Sequence, residues 1–154
     1  MAKKKNNPRL KARTDCSFQR KSACRDERIT IIDIDKITFS FKNVISDQPK
    51  RNRQSFESWQ KDKILSKLLE KLRHLSRLTI QEAKQQGFIT EYDMFPDNTD
   101  FKCPKKFEDG VRWSVIKKIT GQKARIVGYI VDNIFYIVFL DKDHQFWKTK
   151  KKRT

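Results

Sequence analysis

The sequence predicts an α+β fold: one strand, two helices, then an antiparallel three-stranded meander. Three observations carry that prediction. Ile29, Ile31, Ile37, Phe39 and Phe41 in ITIIDIDKITFSFK alternate with period two, as a strand does. Residues 56–78 place apolar side chains at helical spacing, and residues 111–140 hold three apolar runs divided by turn signals.

The elements follow in order. SDQPKRNRQS (46–55) is a polar loop around Pro49. From Phe56 to Leu78 a helix is expected, because Ile64, Leu68, Leu72 and Leu75 repeat at i, i+4, i+8 and i+11, widened by Leu65 and Leu69. Lys61, Lys63, Lys67, Lys71, Arg73 and Arg77 lie mostly off that stripe and give the helix a basic face, and His74 reads as a solvated residue of it. A second helix begins at Thr79-Ile-Gln-Glu82, a capping-box pattern, and stops at Gly87. ITEYDMF (89–95) suits a short strand or an extended loop, and 96–110, with Pro96, Pro104 and Gly110, is loop by composition. VRWSVIKKI, ARIVGYIV and IFYIVFL form the meander. Gly121-Gln-Lys separates the first two, and Asp132-Asn133 is a two-residue hairpin turn for the last two.

One domain is expected over residues 29–147, flanked by a basic flexible arm (1–28) and a basic tail (148–154). The net charge is +17 over 154 residues, and the two ends hold +12 of it. Cationic ends and a basic helix favour a polyanionic partner, nucleic acid above all, over a membrane surface, since neither end has an amphipathic apolar face. Cys16, Cys24 and Cys103 are odd in number and irregular in spacing, which argues for reduced thiols in the cytoplasm and against a disulfide framework or a zinc site. No apolar stretch follows the basic N-terminus, so no secretory signal is expected. The pattern therefore predicts a cytoplasmic protein with no metal and no cofactor.

The run Ile134 to Leu140 reads as a central strand buried on both faces. It ends on Asp141-Lys142-Asp143-His144, which sets one of two histidines at the sheet rim. The chain lacks a P-loop, GxGxxG, GxSxG or HExxH, so its chemistry would rest on basic and aromatic residues. Cleavage of RNA through the ribose 2′-hydroxyl is such a chemistry: it needs a proton acceptor and cations around the phosphate. His144 suits the first role. Arg112, Lys117, Lys118, Lys123, Arg125 and Lys142 are candidate phosphate contacts, and Tyr129, Tyr136 and Trp147 are candidate stacking surfaces for a base. On central strands, however, the two tyrosines fit core packing first.

Across VRWSVIKKITGQKARIVGYIVDNIFYIVFLDKDHQFW the chain resembles the RelE/YoeB family of bacterial toxin endoribonucleases, within the RelE/ParE fold. KARIVGYIVDN resembles that family's arginine-bearing strand, and IFYIVFLDKDHQFW its hydrophobic strand with a histidine-aromatic ending. The same segment is similar to small uncharacterised bacterial proteins ending in G-(F/Y)…FY-(I/V)…D-x-(N/D)-H. The likeness spans about residues 37–147, with motif quality only over 110–147. It implies a toxin that cleaves mRNA, with RNA, the ribosome and a cognate antitoxin (protein or RNA) as partners. Arg125 would contact the scissile phosphate, His144 would act as general acid/base, and Trp147 would be the nearby aromatic. The chain departs from the family in placing Arg112 and Lys117-Lys118 at the two ends of the first meander strand, and in its His144-Gln-Phe-Trp ending. The basic arm and the 96–110 loop are further departures. The alternatives are a non-catalytic RNA-binding protein and a protein-targeting toxin or phage-defence component, since ParE-like relatives share the fold and act on DNA gyrase.

Overall fold

The computed structural model describes residues 35–108 and 110–148; the basic arm, residues 29–34 of the expected first strand and the tail beyond Lys148 lie outside them. The elements are β1 Thr38–Ser40, α1 Phe56–Lys61, α2 Leu65–Leu75, α3 Ile80–Gln85, β2 Ile89–Tyr92, a 3-10 turn Lys105–Phe107, β3 Trp113–Ile116, β4 Arg125–Val131 and β5 Ile134–Asp141. The class is α+β, as expected, but the sheet has five strands and not three. Its order is β1-β5-β4-β3-β2. The meander β3–β4–β5 is its middle; β2 adds antiparallel to β3, and β1 runs parallel to β5, Thr38 opposite Ile134.

The single helix expected over 56–78 is two helices. Trp59 is fully buried and donates its indole N–H to Gln54 Oε1 (3.1 Å), so α1 turns to face the core through that residue. The helix then ends in a Schellman motif: Ile64 N–H bonds Trp59 O (2.9 Å), Lys63 N–H bonds Gln60 O (3.0 Å), and Lys63 has φ 58°. The next stripe behaves as read, with Leu68, Leu72 and Leu75 buried on α2. The Thr79 capping box is formed, Thr79 N–H donating to Glu82 Oε2 (2.7 Å), and Gly87 (φ 70°) closes α3.

Helices cover one face of the sheet. Trp59, Leu68, Leu72, Leu75 and Ala83 pack there on Ile89, Ile116, Ile126, Phe135, Ile137 and Leu140. The second face carries Trp113, Val115, Val127, Val138 and Phe139, roofed by Phe95, Phe101 and Phe107 from the 93–111 loop and by Phe146. β5 is therefore buried on both sides, each such large side chain contributing on the order of 1.5–3 kcal/mol. A bulge lies between Val127 and Gly128 of β4 and their partners Phe139 and Ile137, with Val138 the extra residue. This explains why Val138 and Phe139, though consecutive, both join the second cluster. No helix among the described residues is long and apolar enough to cross a membrane.

Candidate active site at the sheet rim

Three strand ends define the rim: Lys117 follows β3, Arg125 opens β4, and Asp141 closes β5 opposite Arg125. Strand alternation puts Lys117 on the side of Trp113 and Val115, and Arg125 on the side of Val127, so both face the second layer. The bulge brings Asp141 to that side as well.

Asp141 builds the loop that follows it. Its side chain is wholly buried, and its two oxygens accept the backbone N–H groups of Gln145 (2.8 Å) and Phe146 (2.9 Å). The chain must curl back to make those bonds, and His144 takes φ 59° to do so. Lys142 N–H donates to Gln54 Oε1 (2.7 Å), the same oxygen that receives the Trp59 indole. Asn52 reaches Asp143 Oδ2 (2.8 Å), and Phe146 seats its ring in the aromatic cluster. Tied at these points, the loop fixes His144 at the mouth of the rim and lays Trp147 flat on Tyr92, centroids 4.0 Å apart.

The electrostatics follow from what Arg125 lacks. It is almost entirely buried, yet among the described residues no carboxylate lies within ion-pair distance of its guanidinium; Asp141 uses its oxygens on the backbone. Its charge is felt by the neighbours instead. Burial, then Arg125, then Lys118 lower the Lys117 pKa. Burial, then Arg125, and to a smaller degree Lys117 lower that of His144, while Asp141 opposes them. Burial raises the Tyr92 pKa, and Arg125 partly reverses it. Burial also raises the Asp141 pKa, against its two backbone bonds and His144. The arrangement is an imidazole held toward its neutral form by burial and two neighbouring cations. It suits a proton acceptor next to a bound anion.

The sequence-predicted residues separate. His144, Arg125 and Lys117 come together at this rim, while Trp147 lies on Tyr92, which pairs with Trp113. Lys118 (φ 58°) turns to the helix layer, where its ammonium meets Gln86 O (3.3 Å). Lys123 is exposed in the turn before β4, and Lys142 is ion-paired with Asp62. Arg112 and Tyr129 lie toward the far end of the sheet, for Trp113 pairs with Tyr129. Tyr129 stacks on Tyr136 (4.9 Å) and accepts a hydrogen bond from Asn43 Nδ2 (2.8 Å). His74, read as solvated, is exposed but sets its ring edge-on to Phe88 (5.4 Å). Tyr92 and the tethering role of Asp141 escaped the sequence reading. Asp141 had a signal, a carboxylate ending an apolar strand four residues before Gln145, whereas Tyr92 had none. Comparison of the chain with protein-family models, curated proteins and solved structures gives no match.

Proposed function

We propose that the protein is a RelE-like toxin, an endoribonuclease that cleaves mRNA through its 2′-hydroxyl, with the ribosome as its setting and a cognate antitoxin as its restraint. The observation that supports this most is the buried Arg125, with no carboxylate within ion-pair distance among the described residues, beside Lys117 and His144, whose pKa values it lowers. The scissile phosphate would sit against Arg125 and Lys117, where charge developing on the pentavalent phosphorus is stabilised. His144 takes the 2′-hydroxyl proton, the 2′-oxygen attacks phosphorus, and the P–O5′ bond breaks. The proton held on His144 passes to the departing 5′-oxygen. The products are a 2′,3′-cyclic phosphate and a 5′-hydroxyl. Trp147 on Tyr92 offers a flat surface for a flanking base.

The test is to map RNA 5′ ends after brief induction of wild type, His144→Ala and Lys117→Ala. New 5′-hydroxyl ends in the wild type, lost with His144→Ala and reduced with Lys117→Ala, are expected. Growth arrest without new ends would replace this reading with a protein-targeting one. Salt-dependent RNA binding without cleavage would replace it with a non-catalytic RNA-binding one.

A further inference from the structure

On the helix side of the same rim, Lys71, Lys118 and His74 converge on a single ring, that of Phe88. The Lys71 ammonium stands 4.4 Å from its centroid and the Lys118 ammonium 5.3 Å, with the His74 imidazole at its edge. They border an open pocket of about 390 Å³, with Ser66, Lys67, Glu70 and Ile119 completing its lining. Glu70 does not neutralise the cluster among the described residues; it pairs with Arg73 (3.2 Å). The repulsion between the two ammonium groups registers in Lys71, whose pKa is lowered by burial and then by Lys118. Lys118 reaches this position from left-handed backbone (φ 58°), a conformation that L residues other than Asn and Asp seldom take.

We infer that this pocket is a second phosphate site, gripping the same RNA strand one or a few nucleotides from the bond that is cut. The inference rests on the RNA reading above and adds to it where the strand runs. Consecutive residues supply the link. Lys117 turns to Arg125 and His144 on the second face, while Lys118 turns to Lys71 on the first. A strand crossing the end of β3 thus meets a cation cluster on each side of the sheet. A phosphodiester suits the helix-side pocket because its negative charge relieves the repulsion between Lys71 and Lys118, with which no carboxylate pairs among the described residues.

The test uses the full chain and a single-stranded RNA made uncleavable by 2′-O-methylation, with anisotropy read across a salt series. Each phosphate contact on a single strand contributes about 0.7 to the slope of log K against log salt. Lys71→Ala combined with Lys118→Gly, which retains the positive φ, is expected to flatten the slope by about 0.7 and to weaken low-salt binding roughly tenfold. On cleavable RNA the same variant should raise KM while leaving kcat within about twofold. Wild-type binding with an unchanged slope in the double variant would overturn the second site and leave the rim chemistry standing. A wild type that binds no RNA would overturn both. Amide spectra of the variant establish that it is folded before either result is read.

Discussion

Removal of the Asp141 carboxylate should release the loop that carries His144. A hydrogen bond to a charged group contributes about 1.5–3 kcal/mol, so the two accepted from Gln145 and Phe146 amount to roughly 3–6 kcal/mol before desolvation is subtracted. The raised pKa of Asp141 shows that desolvation is felt, which places the net near the lower end. Asp141→Ala also leaves the buried Phe146 N–H without an acceptor. We therefore expect a loss of about 3 kcal/mol, equivalent to a Tm lower by roughly 12 °C for a unit of this size. Asp141→Asn keeps one acceptor oxygen and should lose about half as much. Urea unfolding followed by tryptophan fluorescence measures both, with Trp147 reporting separation from Tyr92. An Asp141→Ala unfolding free energy within about 0.5 kcal/mol of wild type would refute the tether and the account of how His144 is positioned.

Four further outcomes are expected. The His144 imidazole should titrate below the ordinary value near 6.5; Arg125→Met should move it upward, Lys117→Ala less so, and Asp141→Asn downward, all read by NMR. Because this pKa is lower in the folded chain, the unfolded chain binds more protons just below pH ~6.5, so stability falls on acidification through that window and His144→Gln should flatten the decline. Gly128→Ala would bring a Cβ within 2.0 Å of Tyr136 O across the bulge, and the result should be a loss of at least about 3 kcal/mol or failure to fold, judged by soluble yield and circular dichroism. Gln54→Leu strips the acceptor from both the Trp59 indole and Lys142 N–H and should cost about 2–3 kcal/mol in the same urea assay.

The parts of the fold legible in the sequence are those with a local cause. Asp132-Asn133 marks the hairpin, Thr79 and Glu82 the helix start, and the end of the apolar run at Asp141 the rim that holds His144. The division of the first helix was hidden because Lys63 takes the left-handed position where a glycine would have announced the stop. Strand β1 was visible but its parallel place beside β5 was not, for Thr38 and Ile134 are far apart in sequence and no short-range pattern records the pairing. The site was hidden by one residue of register. With Val131 opposite Ile134, a regular hairpin would set Arg125 against Leu140 and turn Asp141 to the helices. The bulge at Val138 changes the partner to Asp141 and delivers the loop, with His144, to the face that Arg125 occupies.

The parallel seat of β1 also dictates the sequence of folding events. β3, β4 and β5 are joined by short connections and can pair as soon as they meet, whereas β1 must wait for β5 and then close a loop of nearly a hundred residues. Nothing made before β5 has a complete sheet to dock on, because that strand is the common partner of β1, of Ile45 and of β4. The rim of Lys117, Arg125 and Asp141 is therefore complete only once β5 has paired with β4. A nascent chain that has not yet paired its last strand has no such rim.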